Sequence, residues 1–424
     1  MGKPLLGAIA LLTASLVVAA PAAAATRYAE PGGTGAHPCT VSDPCPIAEA
    51  VDGPGVADLD TVIIRPGSYT LAAPLALSHD ITVQGHTGQQ ATITYATATQ
   101  FQRTVSVNHG GGLLRDVRVV ATGPGSALLV NSGQAEWVVA KSSGTPATCQ
   151  PGVGANPPLR DSICHNTATN GVAVGIEAGC AGGPLPQDTS RLRNVTAIAD
   201  GANSAGIELD LNEGCNIRFD GLNVIAQGTA ADLVARTDAN PNTQAAISMA
   251  NSAFSTVSAV GLGASTSTPG SGANITEPPL FANAATGDFH QAQGSPTIDA
   301  GALGTHIGLI DIDGEPRQQG AGIDIGADET LIPETTITKK PRKRLITRRK
   351  RARVSFRFIA NELGATFECK LNKRAFKPCN TPVKYRVRAA RGKGKRHVFA
   401  VRATVSAGTD TTPAKWRWRV KRKR

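Results

Sequence analysis

A short motif recurs between residues 114 and 252 of this 424-residue chain. In each copy a large apolar residue is followed, mostly two positions later, by Asn or Asp and then by an apolar run. The copies begin at Leu114, Leu159, Leu192, Phe219 and Met249, at intervals of 45, 33, 27 and 30 residues. The 45-residue interval suits two coils of about half that length. Periods of this size with short strands are typical of a solenoid whose coils stack.

The composition agrees with many short strands joined by turns. The chain has 46 Gly and 27 Pro, and only 4% of its residues are aromatic. Residues 61–71 indicate a strand, a turn at Pro66-Gly67 and a second strand, and residues 81–85 and 91–95 alternate with period two. One short helical turn is predicted at 47–51. The sequence therefore predicts an all-β protein.

Two stretches resemble known exported proteins. The opening RYAEPGGTGAHPCTVSDPCPIAEAV, at 27–51, is similar to the first coils of right-handed parallel β-helix proteins of the pectin-lyase-like superfamily. GDFHQAQGSPTIDAG and DIDGEPRQQGAGIDIGADE, within 278–329, resemble the choice-of-anchor Q domain. The resemblance implies a right-handed parallel β-helix solenoid over 26–329, closed by 278–329, in an exported protein. Most members of that family have no demonstrated activity.

The last part of the chain has a different pattern. Apolar residues alternate with Arg and Lys at 354–358, 385–387 and 416–420, which is typical of a small β-sandwich. The stretch from 333 to 420 resembles bacterial immunoglobulin-like repeats, although it is unusually basic for them. We expect a basic linker and first strand at 330–353 and an immunoglobulin-like domain at 354–424. Trp416 and Trp418 should share one face, as core or edge packing.

Residues 1–25 read as a secretory signal. Lys3 supplies the positive end, an apolar run follows from Leu5 to Ala20, and Ala23-Ala24-Ala25 fits the cleavage site. The alternative is a retained membrane anchor, but the apolar run is short. No later run of 18 apolar residues exists. We therefore predict a secreted or cell-surface protein without a transmembrane segment in its mature form, and a monomer.

Eight cysteines suit an oxidising compartment. Two lie near the start, four in the middle and two near the end. Zinc is the alternative, but there is no C-x-x-C and no matching His spacing. We predict Cys39–Cys45 and Cys369–Cys379, and we favour Cys149–Cys164 with Cys180–Cys215, although four cysteines allow three pairings.

The net charge of +11 hides a division between two halves. From residue 331 onward there are 30 Lys and Arg against 4 Asp and Glu, and the preceding residues have 13 against 28. Export makes nucleic acid a less natural partner than anionic envelope polymers or polysaccharide, because charge neutralisation with counterion release works on any polyanion. The predicted polyanion-binding residues are Lys339, Lys340, Arg342, Lys343, Arg344, Arg348, Arg349, Lys350, Arg351, Arg391, Lys393, Lys395 and Arg396. The alternative is a merely soluble charged surface.

A second repeat suggests where catalysis could occur. Gly175-Ile-Glu177 and Gly206-Ile-Glu208 lie 31 residues apart, which predicts that Glu177 and Glu208 are equivalent on stacked coils, with Asp210 nearby. Paired carboxylates can act on a glycosidic bond or hold Ca²⁺ against an acidic sugar. No multi-residue lyase or hydrolase signature of the superfamily is present. We therefore favour the interpretation that these acids form a solvated face.

The stretch 278–329 also carries His290 and several aspartates, at 299, 311, 313, 324 and 328. Asp311-Ile-Asp313-Gly314 has calcium-like spacing but lacks the later ligands of such a loop. Asp is a natural turn residue, and Arg317 is available as a partner for Asp299 or Asp324. We therefore predict turns and no metal site.

These observations lead to three functional hypotheses. The first is a non-catalytic surface or matrix protein, whose solenoid presents a binding face for a glycan or other ligand and whose basic domain binds anionic envelope material. The second is a carbohydrate-active enzyme, a polysaccharide lyase or glycoside hydrolase, using Glu177, Glu208 and Asp210. The third is an adhesin. No cofactor is required, although Ca²⁺ would suit the carboxylates.

Overall fold

The computed structural model describes residues 24–180, 186–330, 333–361, 365–405 and 408–423. Except for its last two residues, the predicted signal at 1–25 lies outside these ranges. Strands make up about half of the structure, and the one α-helix among the described residues is α1 (Ile47–Asp52). The predicted all-β class is confirmed. No helix in the described ranges has both the length and the apolar character needed to cross a bilayer.

The described residues between 24 and 330 contain 23 strands. The strands before residue 145 are β1 (Thr26–Ala29), β2 (Thr61–Ile64), β3 (Gly67–Leu71), β4 (Leu75–Leu77), β5 (Thr82–Gln84), β6 (Ala91–Tyr95), β7 (Arg103–Val107), β8 (Leu113–Ala121), β9 (Ser126–Val130) and β10 (Gln134–Ser142). The strands after it are β11 (Cys149–Pro151), β12 (Leu159–Asn166), β13 (Val172–Gly179), β14 (Asp188–Ala199), β15 (Ala205–Asn212), β16 (Asn216–Leu222), β17 (Ile225–Gly228), β18 (Ala231–Thr237), β19 (Gln244–Ala250), β20 (Val257–Val260), β21 (Ala264–Thr266), β22 (Phe281–Asn283) and β23 (Asp288–Gln291).

Strands β1 to β21 form two large parallel sheets. One has 13 strands, with the main order β1-β2-β5-β8-β10-β12-β14-β16-β19-β21, and the other has eight, in the order β4-β7-β9-β11-β13-β15-β18-β20. Apart from β1 and β2, hydrogen-bonded neighbours are separated in sequence by at least one strand of the other sheet, which is the topology of a chain that winds in coils. Apolar side chains between the two sheets form one continuous core, and Ile47, Ala50 and Val51 of α1 cover its first coil. The part of the chain from β1 to β21 is therefore a parallel β-solenoid.

One backbone bend is repeated in the 13-stranded sheet and explains the sequence repeat. Asp116, Trp137, Asp161, Asn194, Asn223 and Asn251 all have φ between 44° and 57°. Asn and Asp tolerate this left-handed conformation better than other non-glycine residues, which is why the motif contains them. Trp137 lies 21 residues after Asp116 and 24 before Asp161, so the 45-residue interval does contain two coils. The copy assigned to Phe219 was two residues out of register, because Leu192 pairs with Gly221 and Asn194 therefore corresponds to Asn223.

The polar side chains at this bend are buried and bonded to one another. Asn194 donates from Nδ2 to Asp161 Oδ1 at 2.8 Å, and Asn223 donates to Asn194 Oδ1 at 3.0 Å. All three side chains belong to residues that are fully buried. The ladder links Asp161 Oδ1 with the amide groups of Asn194 and Asn223, which would otherwise be costly to bury, whereas Asp161 Oδ2 has no hydrogen-bond partner among the described residues.

The stretch 278–329 lies along the flank of the solenoid rather than across its last coil. It contains the hairpin β22–β23, a 3-10 turn at Ala284–Thr286 and then irregular chain. Its backbone oxygens accept hydrogen bonds from side chains of separate coils, including Gln89, Trp137 and Asn223. Apolar side chains of both parts form a second core. We call residues 278–330 the flanking segment, and it ties several coils together.

Arg317 of the flanking segment enters the buried ladder. Its Nε donates to Asp161 Oδ1 at 3.0 Å, and its other nitrogens donate to the backbone oxygens of Gly326 and Ala327. Arg317 is 2% exposed and Asp161 is fully buried. The expected pairing of Arg317 with Asp299 or Asp324 was therefore wrong, because Arg317 compensates the carboxylate of Asp161 in a distant coil.

The C-terminal part is a two-sheet sandwich. Its strands are β24 (Thr335–Lys339), β25 (Arg344–Thr347), β26 (Arg351–Ala360), β27 (Thr366–Leu371), β28 (Lys377–Pro378), β29 (Val383–Arg388), β30 (Lys395–Val405), β31 (Gly408–Thr409) and β32 (Ala414–Arg422). One sheet has the order β24-β26-β29, and the other β25-β32-β30-β27-β28, with β31 paired to β30. Residues 330–353, expected to hold a linker and one strand, contain both β24 and β25.

The sandwich core is formed by aromatic side chains. Phe356 from the three-stranded sheet stacks on Phe399 from the other sheet, with ring centroids 4.0 Å apart. Trp418 is 2% exposed and packs against Phe356, while Trp416 is half-buried at the edge of the same cluster. The two tryptophans share the inner face as expected, and the alternating Lys and Arg of β32 consequently face outward.

All eight cysteines are paired. The disulfides are Cys39–Cys45, Cys149–Cys164, Cys180–Cys215 and Cys369–Cys379. The predicted terminal pairs are confirmed, and the four central cysteines adopt the favoured one of their three pairings. Cys149–Cys164 links the two sheets of the solenoid, since β11 and β12 belong to different sheets.

Candidate functional site

The three candidate catalytic carboxylates lie on the outer face of the eight-stranded sheet. Glu177 belongs to β13, and Glu208 and Asp210 belong to the adjacent β15. Glu208 and Asp210 alternate with the buried Ile207 and Leu209, so they point away from the core. The fold thus places all three acids on one surface.

The predicted equivalence of Glu177 and Glu208 was wrong by two residues. Glu177 pairs with Asp210, and Glu208 pairs with Gly175. Val172 pairs with Ala205, so the coil is 33 residues long here, whereas the Gly-Ile-Glu repeat has a period of 31. Coil length, which is set by the turns as well as the strands, decides which side chains stack.

Glu208 is held by an arginine in the next coil. Arg236 Nε lies 2.9 Å from Glu208 Oε1, and the Glu208 side chain is 19% exposed. Burial raises the pKa of Glu208 above its ordinary value, although Arg236 opposes this effect.

A shallow groove surrounds these acids. One part, of about 190 Å³, is lined by Glu177, Glu208, Asp210 and Gln150 among others. A second part, of about 490 Å³, shares Gln150 and Glu177 and extends to Phe101, which is 79% exposed. Arg103 Nε donates to Gln150 Oε1 at 2.8 Å. Charged and amide side chains from separate coils therefore line one continuous surface.

The groove offers a pair of carboxylates on adjacent strands. Neighbouring strands lie about 4.8 Å apart, which is close to the separation of about 5–5.5 Å between the two carboxyl groups of retaining glycosidases. Glu177 and Asp210 are such neighbours. Glu208 is the third acid, and its Oε1 is paired with Arg236.

A second group of titratable residues lies in the flanking segment. His290 Nδ1 is 2.5 Å from Asp288 Oδ1, and Nε2 is 2.9 Å from Asp313 Oδ2. The bond to Asp313, opposed by desolvation, raises the pKa of His290 to about 10. With both ring nitrogens facing carboxylates, His290 is a protonated imidazolium.

Possible ligand atoms of His290, Asp313 and Asp328 all lie within 4.8 Å of one another. The ionic hydrogen bonds of His290 to Asp288 and Asp313 give the group a structural interpretation. A metal ion at this spacing would require His290 to lose a proton and to bind through a ring nitrogen.

The other buried acids of this segment accept hydrogen bonds from backbone amides. Asp311 accepts from Asp313, Glu315 and Glu329, and Asp324 accepts from Asp299 and Thr330. Such bonds fix turns. Asp299 likewise accepts from the backbone of Ala321 and Gly322.

The sandwich brings separate basic runs together at one end. The turn after β25, the turn after β29 and the end of β32 are adjacent, because Ala389 N donates to Lys350 O at 3.0 Å and Arg422 N donates to Ala390 O at 2.9 Å. Lys423 N donates to Thr347 O at 2.9 Å. We call this surface the basic end, and it comprises Arg348, Arg349, Lys350, Arg391, Lys393, Lys421, Arg422 and Lys423.

All thirteen predicted polyanion-binding residues are exposed. Five belong to the basic end, and Lys395 and Arg396 begin the adjacent β30. The group from Lys339 to Arg344 lies where the chain crosses from the three-stranded sheet to the other sheet. Arg351 lies at the start of β26.

The sequence-based selection missed the basic residues inside the strands. Arg353, Arg357, Lys384, Arg386 and Arg388 are exposed on the outer face of the three-stranded sheet. On the other sheet, Arg419 pairs with both Arg344 and Arg396, so three arginines lie side by side. These residues alternate with buried apolar residues, and that alternation could have identified them as outward-facing. The polyanion-binding residues were chosen from contiguous basic runs instead.

No protein-family model matches this chain, and no curated protein matches it.

Proposed function

We propose that the chain is an exported, non-catalytic surface or matrix protein whose basic sandwich attaches it to anionic envelope polymers. In this proposal the solenoid is a right-handed β-helix of the pectin-lyase-like kind with a choice-of-anchor Q segment, and the sandwich is immunoglobulin-like. The solenoid presents its outer face to a glycan or other ligand. The observation that carries the proposal is the convergence of three distant basic runs at the basic end.

The basic charge is largely uncompensated. Among the described residues from 333 onward, the acids are Glu334, Glu368 and Asp410. Glu368 pairs with Arg402, and Asp410 is 2% exposed and accepts backbone hydrogen bonds. Concentrated positive charge of this kind favours a polyanion, because binding releases condensed counterions.

Neutralising one residue of the basic end tests this proposal. We expect Arg349→Gln to weaken retention on an immobilised anionic polymer and to lower the slope of log affinity against log salt by about 1, since one ionic contact is lost. The measurement is retention of the full chain over a range of salt concentrations. Lys141→Gln removes an exposed charge from the solenoid and should leave the slope unchanged. Equal slopes for Arg349→Gln and the unmodified protein would count against the proposal.

The second candidate function is carbohydrate cleavage in the groove, by lyase or hydrolase chemistry. It is favoured by the raised pKa of Glu208 beside Glu177 and Asp210. If the groove is catalytic, Glu208→Gln should abolish cleavage of a polysaccharide that the unmodified protein degrades, with loss of about 10²-fold or more in rate.

A panel of neutral and acidic polysaccharides, with and without Ca²⁺, would identify a substrate, and released reducing or unsaturated ends would be measured. Asp188→Asn, an exposed acid of the other sheet, is the matched control. The absence of products from the whole panel, or cleavage that persists in Glu208→Gln, would argue against catalysis at this site.

A further inference from the structure

The outer face of the three-stranded sheet is an ordered array of cations. We call it the arginine face, and it comprises Arg351, Arg353 and Arg357 of β26 with Lys384, Arg386 and Arg388 of β29. Arg351 pairs directly with Arg388, and Arg353 with Arg386. All six residues are exposed, and none of the described strands of this sheet carries an Asp or Glu.

This array works against the stability of the sheet. Like charges directly opposite each other on neighbouring strands destabilise the pair, and here two such pairs follow one another along the same strands. The inner face of β26 accounts for its apolar residues, with Val354, Phe356 and Phe358 buried. The outward side chains do not pack in the core, so packing does not explain why these positions are arginine.

The spacing and side-chain type suit a linear chain of oxyanions. Paired arginines are about 5 Å apart across the strands, and successive pairs are about 6.8 Å apart along them. Arginine forms two parallel hydrogen bonds to an oxyanion, whereas lysine acts as a point charge. Five of the six residues of the face are arginine. A flexible chain lying along the strands could place one anionic group at each arginine pair.

We propose that the arginine face binds a phosphodiester polymer through bidentate arginine contacts, as a site distinct from the basic end. A phosphodiester chain carries a full charge in every repeat, as the array requires, and arginine is over-represented where phosphate is bound through two parallel hydrogen bonds. This inference rests on the proposed function, because it specifies the chemistry of the anionic partner. In this proposal the basic end attracts any polyanion by its charge, and the arginine face makes binding selective for phosphate groups.

Exchange of arginine for lysine separates these contributions. In Arg353→Lys/Arg386→Lys the charge is retained and the bidentate contacts are lost. Affinity of the full chain for long-chain inorganic polyphosphate, used as the phosphate probe, should fall about tenfold, equivalent to about 1.4 kcal/mol. The salt slope should remain nearly unchanged. Arg348→Gln/Arg349→Gln should instead lower the slope by about 2 for every polyanion.

The same affinities would be measured for heparin, which carries sulfate groups, and for polygalacturonate, which carries carboxylate groups. Lys141→Arg, an exchange between the same two residue types on the solenoid, is the control variant. A loss of affinity for polyphosphate, without an equal loss for the other two polymers, supports the inference. If Arg353→Lys/Arg386→Lys binds polyphosphate like the unmodified protein, or weakens equally on all three polymers, the inference is overturned while the proposed function stands. If the unmodified protein binds none of them, the proposed function fails as well. An unchanged thermal midpoint for the lysine variant establishes that its sandwich is folded.

Discussion

Individual polar residues connect the solenoid to its flanking segment. Asp161, Asn194 and Asn223 occupy left-handed bends and are buried, and the Arg317 guanidinium closes the ladder they form. Burial raises the pKa of Asp161, and Arg317 is the largest opposing influence. The pair therefore depends on both partners, since either charge alone would lie in a site nearly closed to water.

We predict that Arg317→Met destabilises the protein by about 3–5 kcal/mol, because it leaves the Asp161 carboxylate buried without its cation. The free energy of unfolding would be measured by denaturant titration. Adding Asp161→Asn should restore much of the loss, and Lys141→Met, at an exposed site, should change little. A loss below about 1 kcal/mol for Arg317→Met would contradict the importance of the pair.

At the scale of elements, the stability of the flanking segment depends on the protonation of several of its side chains. Burial raises the pKa of Asp328 to about 7 and that of Glu329 to about 8. His290 has its pKa raised to about 10 by its carboxylate partners. Each of these groups binds a proton more tightly in the folded state, so all three favour folding at lower pH.

The resulting prediction is that the flanking segment becomes less stable as pH rises. The contribution of the two acids declines from about pH 4 to about pH 8, and that of His290 is complete below about pH 6.5 and declines towards pH 10. Limited proteolysis within 278–330 should therefore be slower at pH 5.5 than at pH 9.

His290→Arg keeps a positive charge at alkaline pH and should remove most of the decline above pH 8. Asp188→Asn, far from this group in sequence and exposed, should leave the profile unchanged. A segment that becomes more resistant as pH rises would show that the direction of this coupling is wrong. Protease activity at each pH would be normalised with an unfolded substrate.

The whole molecule combines two unlike charge distributions. The solenoid and its flanking segment contain most of the acids, and the sandwich contains most of the basic residues. The two parts touch where Gln293 exchanges hydrogen bonds with the backbone of Thr409. In the sandwich, β30 runs for 11 residues between this contact and the basic end, a length of about 35 Å. The basic end is thus held away from the solenoid.

We expect a chain ending at Thr330 to lose retention on anionic polymers while keeping its β-rich far-ultraviolet circular dichroism. The reason is that the flanking segment, which remains, supplies the contacts that tie the coils together. Retention and circular dichroism would be compared with those of the full chain at equal concentration. Retention that survives the truncation and ignores salt would exclude the sandwich as the attachment site.

Features that repeat locally could be predicted from the residues alone. The alternation of apolar and polar residues indicated strands, the Asn and Asp motif indicated coils, and even cysteine counts indicated disulfides. These signals are short-range, because each depends on the conformational preferences of a few consecutive residues. The Gly-Ile-Glu repeat indicated that Glu177 and Glu208 share one face, although it gave the wrong register between them.

Contacts between residues of different coils or different strands could be identified only in the folded chain. The 33-residue coil, rather than the 31-residue sequence repeat, pairs Glu177 with Asp210. Arg317 donates a hydrogen bond to Asp161, which lies 156 residues earlier in the sequence. The basic runs and the arginine pairs meet only because antiparallel strands return them to one end and one face. Such contacts depend on turn lengths and on packing of the whole core, which no local pattern records.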